Sequence, residues 1–165
     1  ADGVPYFEAA LQRESRNFYA LFGLADCYRG MNEPERSLQY WNRILEDDPS
    51  NKVILTRAGD AYRVMGEIER AESYYKKALN IDFDVYALLG LALIRRRRGE
   101  TEEAVRTLTA LLEREPRNPR VYQELAQAHM QAGHPGEALD ILRQFKKTGV
   151  HNAYIDELIA RIERE

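Results

Sequence analysis

Residues 55–78 read LTRAGDAYRVMGEIERAESYYKKA. Leu55, Ala58, Gly59 and Tyr62 follow at i, i+3, i+4 and i+7, the spacing that lines four side chains along one stripe of an α-helix. Gly66 breaks the pattern where a helix can end in left-handed backbone. Ala71, Tyr75 and Ala78 then open a second stripe at i, i+4 and i+7. The stretch therefore reads as two helices joined by a tight turn. Small residues stand where the helices must approach, and tyrosines where a gap must be filled.

Working outward, the same device recurs. Aligning the chain on Asn32, Gly66, Gly99 and Gly133 gives steps of 34, 33 and 34 residues. Four units follow: 18–51, 52–84, 85–118 and 119–152. Their first helices carry Leu21, Leu24, Ala25 and Tyr28; then the residues quoted above; then Leu88, Leu91 and Ala92; then Tyr122, Leu125 and Ala126. Their second helices carry Ser37, Trp41 and Ile44; Ala71, Tyr75 and Ala78; Ala104, Leu108 and Leu111; and Ala138, Leu142 and Phe145. Pro34, Pro119 and Pro135 suit a first helical turn, with Asn32 and Asn118 as candidate caps. Helices of about 14 residues are marginal alone in water, so stacking on neighbours must stabilise them.

Residues 1–17 (chiefly Val4–Arg16) read as the second helix of a truncated repeat, with Phe7, Ala10 and Leu11 on its apolar face. The missing first helix leads to the expectation that the chain is a piece of a longer array. At the other end, 151–165 reads as a capping helix. Tyr154, Ile155, Leu158, Ile159 and Ile162 stand on one of its faces and charged residues on the other. Ten helices result, in a single domain spanning 1–165. The composition agrees: 44% apolar and 31% charged residues, ten tyrosines and no apolar run of the ~18 residues that would span a bilayer. A net charge of −3 with interspersed signs gives no support for nucleic acid. One cysteine, Cys27, excludes an intramolecular disulfide and a multi-cysteine metal site.

With these residues in view, the chain resembles the tetratricopeptide repeat family. Leu55, Ala58-Gly59, Tyr62, Gly66, Ala71, Tyr75 and Ala78 reproduce its signature in the second unit. Departures are Asn32 for the turn glycine, Arg95 and His129 for the Tyr, and Phe83 and Val150 for the closing Pro kept at Pro49 and Pro116. The resemblance implies an all-α, right-handed superhelical solenoid of antiparallel helix pairs that binds proteins and catalyses nothing. In the family the first helix of each pair lines a concave groove.

Mapped onto this chain, the groove positions give Tyr19, Phe22, Asp26 and Arg29. The second unit gives Val53, Thr56, Arg57, Asp60 and Arg63, and the third gives Tyr86, Leu89, Leu93, Arg96 and Arg97. The fourth gives Arg120, Gln123, Glu124, Gln127 and Met130. The family's clamp for acidic chaperone tails requires Lys and Asn where this chain has Phe22, Asp26, Arg57, Tyr86 and Gly90, so binding of such tails is not expected. Two readings of Tyr86, Leu89 and Leu93 stand open. They seat the apolar side of a partner segment, with Arg57, Arg63, Arg96 and Arg97 meeting its carboxylates, or they pack against the adjacent first helix. Tyr19 and Phe22 likewise either bind a partner or cover the N-terminal helix.

Other signals have simpler explanations. Arg95–Arg98 turn about 100° per residue around a helix end, so they form no stripe and no nucleic-acid site. His129, His134 and His151 lack metal-ligand spacing. His129 falls at the family's Tyr position, where a packed side chain is expected, and Cys27 reads as a small buried hydrophobe. Neither a phosphate loop nor a nucleophile elbow occurs, so no catalytic residue, cofactor or metal is expected. The leading expectation is a scaffold for an apolar and acidic protein partner, without membrane insertion, and favoured in the cytoplasm over the periplasm or a lipid anchor. The alternatives are self-association through the exposed N-terminal helix, and a regulatory segment of a larger protein.

Overall fold

The computed structural model describes residues 3–164; Ala1, Asp2 and Glu165, the outermost residues of the expected half repeat and cap, lie outside the described residues. Among the described residues there are ten α-helices and no strand. They are α1 (Val4–Arg13), α2 (Phe18–Gly30), α3 (Pro34–Asp47), α4 (Lys52–Val64), α5 (Ile68–Ile81), α6 (Val85–Arg97), α7 (Thr101–Arg114), α8 (Pro119–Gln131), α9 (Pro135–Lys146) and α10 (Ala153–Ile162). The chain forms two compact units, Ala1–Gly90 and Leu91–Glu165, and the division falls within α6. In the first, α1 to α5 each pack on the next; in the second, α7 to α10 do the same.

The helix starts repeat a chemical device. Asn17, Asn51 and Asn152 accept hydrogen bonds from the backbone N–H three residues on, at 3.0, 3.2 and 3.0 Å. Asp84 does so for Tyr86 and Ala87, both at 2.9 Å, and Asn118 for Arg120 at 3.1 Å. Each satisfies a donor that a first helical turn leaves unpaired. Asn118 thus fulfils the expected role, whereas Asn32 does not. Instead Asn32 occupies left-handed backbone, φ 59°, between α2 and α3. Gly66, Gly99 and Gly133 take the same place at φ of 81°, 81° and 79°.

At all four turns the residue after the left-handed position closes back on the helix. The N–H groups of Glu33, Glu67, Glu100 and His134 donate to the carbonyls of Tyr28, Tyr62, Arg95 and His129, each at 2.9 Å. This is the closure that satisfies the last carbonyls of a helix. Asn substitutes for Gly because its short polar side chain tolerates that backbone region.

The core of each unit is built from the stripes read in the sequence. Trp41 and Tyr75 are fully buried, with Leu24, Ala25, Ala58, Ala71 and Ala78 around them. Tyr75 is the tightest case. A Cβ on Gly59 would stand 2.8 Å from its ring and one on Gly90 2.2 Å, so the ring is clamped between α4 and α6. The second unit closes on Tyr122, Ala126, Ala138, Leu142, Phe145, Ile155, Leu158 and Ile162. Full burial of each large side chain contributes about 1.5–3 kcal/mol before entropy is counted. Tyr154 departs from expectation: it is 47% exposed, so the buried stripe of α10 is Ile155, Leu158 and Ile162.

α1 ends at Arg13 and buries none of its residues fully. Phe7 nevertheless lies flat against Gly23 of α2, where a Cβ would meet its ring at 2.4 Å. A cleft of about 440 Å³ opens beside it, lined by Phe7, Phe22, Gly23, Cys27 and Met31 among others. Cys27 is half-buried there rather than enclosed.

Candidate partner-binding face

Among the first helices, α2 packs on α1 and α3, α4 on α3 and α5, and α8 on α7 and α9. The structure sorts the expected groove residues into three groups.

One group is open to solvent. Tyr19 is 80% exposed and Tyr86 56% exposed, with Val53 at 49%. Arg97 and Arg120 are exposed as well. Tyr19, Val53 and Tyr86 hold the same place, the second residue of α2, α4 and α6. Tyr19 is too exposed to serve as a cover for α1, whereas Phe22 lines the same cleft as Phe7 of α1. Six of the eight exposed large apolar residues, namely Phe18, Tyr19, Val53, Val64, Tyr86 and Tyr154, lie on first helices or on α10, which continues their register.

A second group is tied into polar networks. In the first unit, Asp26 accepts from Arg29 Nε at 2.9 Å and from Arg57 Nη1 at 3.2 Å. Arg57 also lies over the rings of Phe22 and Trp41, 5.4 and 5.6 Å from their centres, while Phe22 meets Trp41 edge-on at 5.2 Å. Asp60 accepts from the Tyr75 hydroxyl at 2.7 Å, and that hydroxyl accepts from Arg63 Nε at 3.2 Å. Burial, and then the neighbouring Asp60, push the Tyr75 hydroxyl far above its ordinary pKa, so it stays a donor. In the second unit Arg96 donates to Glu124 at 2.7 Å and Gln127 at 3.1 Å, with only 17% and 14% of the Arg96 and Glu124 side chains exposed. Gln123 donates to Asn152 at 3.3 Å and Gln127 to the Tyr154 hydroxyl at 3.3 Å.

The third group is core. Leu89 is 2% exposed and Thr56 4% exposed, and Leu93 is half-buried. Leu89 therefore seats no partner, which corrects its assignment to the groove. Its helix is apolar nearly all round, and periodicity alone does not tell which of its apolar stripes remains open. The guanidiniums of Arg63 and Arg96 already face Asp60 and Glu124. Sequence reading missed Trp41 as the floor beneath Phe22 and Arg57, and missed Tyr154. The 34-residue step from Arg120 to Tyr154 was a signal for the latter.

Other candidates stay apart. The rings of His129 and His134 lie 6.5 Å apart, and among the described residues no three His, Cys, Asp or Glu are placed to hold a metal ion. His129 is half-buried, as its packed position implied, with a buried Nδ1 that has no partner. Among the described residues no helix is long and apolar enough to cross a membrane.

Comparison with known proteins agrees with this geometry. Three family models, each described as a tetratricopeptide repeat, match residues 1–52, 54–85 and 95–162. No curated protein matches. Among solved structures, a tetratricopeptide repeat protein from Parabacteroides merdae superposes on 98% of the chain with a TM-score of 0.87 at 23% identity. The chain spans 64% of that protein. A thermophilic repeat protein of Thermus thermophilus superposes on 98% of the chain at TM-score 0.83 and 20% identity, with 89% of its own length covered. YrrB, a repeat protein described as having an unusual peptide-binding site, superposes on 86% of the chain at TM-score 0.65 and 20% identity, with 73% of its own length covered. At these identities the likeness concerns the fold: an all-α solenoid of stacked antiparallel helix pairs. Ten helices with hairpins closed at Asn32, Gly66, Gly99 and Gly133, together with three matching family models, make this chain a member of the tetratricopeptide repeat family.

Proposed function

We propose that the protein is a non-catalytic scaffold that binds a segment of a partner protein along its first helices. The observation that carries this reading is the placement of exposed apolar side chains. Tyr19, Val53 and Tyr86 repeat at one position per first helix, where hydrophobic burial needs nothing from them. An exposed apolar row that recurs in register, two of its three members tyrosines, supplies large contact area with little side-chain entropy to lose. The hydrogen-bonded networks around Asp26, Asp60 and Glu124 hold the surrounding stripe rigid, which lowers the cost of binding. The peptide-binding site of the similar YrrB supports the class of function.

The test is affinity capture from lysate of the source cell, comparing wild type with Tyr19→Ser/Tyr86→Ser. Both residues are largely exposed, so the melting temperature should hold within a degree or two, as surface substitutions usually do. A protein held by the wild type and lost by the variant supports the groove. Equal capture by both moves the interface to another face.

A second reading rests on α1. Its lack of fully buried residues and the cleft beside Phe7 suit self-association. Sedimentation velocity over a hundredfold range of concentration distinguishes the two, since only self-association makes the mass rise.

A further inference from the structure

The cationic side chains of the first unit's face are not equivalent. Arg63 has Asp60 at 3.6 Å as its own counter-ion. Arg29 and Arg57 instead share one. Arg29 reaches Asp26 Oδ1 through Nε at 2.9 Å and Nη2 at 2.9 Å, and Arg57 reaches the same oxygen through Nη1 at 3.2 Å. Two guanidiniums on one carboxylate oxygen leave one positive charge uncompensated.

Two buried donors beside that charge also lack acceptors. Nε of Arg57 and Nε1 of Trp41 have no hydrogen-bond partner, although Trp41 is fully buried. A buried N–H without an acceptor is rare and unfavourable. Nε of Arg57 is enclosed, so this guanidinium meets a ligand only through its outer nitrogens. The aromatic floor of Phe22 and Trp41 beneath Arg57 keeps its plane in place. A cleft of about 60 Å³ adjoins the pair, and Arg29, Arg57 and Asp60 are all among the residues that line it. That is room for a group of about two water volumes. Asp60 does not oppose an incoming anion, because Arg63 and the Tyr75 hydroxyl already occupy it.

We infer that Arg29 and Arg57 form an anion subsite that takes one Asp or Glu side chain of the bound segment, with Asp26 as the internal carboxylate that keeps the pair aligned until the ligand arrives. The inference rests on the first-helix face being the docking surface. A carboxylate entering the cleft meets the outer nitrogens of Arg29 and Arg57 and balances the excess charge. Raising the salt concentration weakens the contact, since the pair is partly exposed.

Trp41 is the only tryptophan, so its indole N–H gives a single resonance at the site. The experiment titrates the protein with two acetylated tripeptide amides, Leu-Glu-Leu and Leu-Gln-Leu, and follows that resonance in proton–nitrogen spectra. The Glu peptide is expected to move it saturably and to bind at least about fivefold more tightly than the Gln peptide, the ratio for a charge-assisted over a neutral hydrogen bond. Arg57→Gln should erase the difference. Asp26→Asn should strengthen the Glu peptide, because it frees both guanidiniums; a residue that merely holds the fold would not give a gain. Equal binding of the two peptides, or weaker binding to Asp26→Asn, overturns the subsite. The amides of Tyr19, Val53 and Tyr86 in the same spectra separate the two claims. If both peptides move them alike while the indole shows no preference for Glu, the groove stands and the subsite falls. If neither peptide moves any of these signals, both fall.

Discussion

Tyr75 is held on every side: its ring sits between Gly59 and Gly90, and its hydroxyl is bonded to Asp60 and Arg63. With both ends fixed, the ring has no room to yield. Gly90→Ala should therefore destabilise the first unit by about 1–3 kcal/mol, the range for overpacking a filled core, which a thermal melt will show as a drop of several degrees. Gly30 is the contrast: it ends α2 with nothing within 4 Å of a would-be Cβ, so Gly30→Ala should be neutral or gain up to about 1 kcal/mol. A drop for Gly30→Ala as large as that for Gly90→Ala would show that crowding is not the cause. His129 supplies a pH effect. Burial holds its imidazole below the ordinary value, with Glu137 opposing and His134 adding to the shift. The folded state thus binds fewer protons than the unfolded chain, so the stability from His129 is present above the ordinary imidazole value of 6.5 and is lost as pH falls through the lower folded value. Wild type should lose more melting temperature than His129→Gln between pH 7 and pH 5; equal losses would contradict the buried neutral imidazole. At this scale the sequence was partly legible. Small residues at 59 and 71 and the aromatic at 75 announced the clamp, whereas Gly90 did not, since contact between α5 and α6 is a tertiary fact.

Helices and turns were the most legible level, because their signals are local. The steps of 34, 33 and 34 residues mark four turns that close through one hydrogen-bond pattern. Asn32 looked like a departure and proves an equivalent, as the only non-glycine residue with positive φ among those described. Asn32→Gly should raise stability by about 0.5–1 kcal/mol through relief of that backbone, read as a higher denaturant midpoint with unchanged slope. The recurring caps at Asn17, Asn51, Asp84, Asn118 and Asn152 make a further claim. Asn51→Ala should cost about 1 kcal/mol, the usual value for a lost cap. The cap helix α10 is held by Ile155, Leu158 and Ile162, so Leu158→Ala should cost about 2–5 kcal/mol in the second unit. If that variant melts like wild type, α10 is not the lid on Tyr122, Leu142 and Phe145. The face of α6 was misread for a physical reason: Val85–Ile94 is apolar on all sides, so no moment distinguishes the buried Leu89 from the exposed Tyr86.

At the scale of the whole chain, a repeat architecture separates what stabilises from what binds. Stability comes from each helix resting on the next, as residue-level periodicity foretells. Binding uses what is left after those contacts are made, and the remainder is visible only once packing is known. This is why the fold was readable from four registered units while the site was readable only in part. Tyr19 and Tyr86 emerge open, Leu89 is consumed by the core, and Arg63 and Arg96 are engaged by Asp60 and Glu124. The central claim is that a partner lies along the first helices. Its most direct test places a photo-crosslinking amino acid singly at Tyr19, Tyr86 or Arg120 on the first helices, and at Lys76, Arg106 or Gln144 on the second, and exposes each variant to the captured partner. Crosslinks from the first set and none from the second are expected. Crosslinks from Lys76, Arg106 or Gln144, with none from Tyr19 or Tyr86, would contradict it.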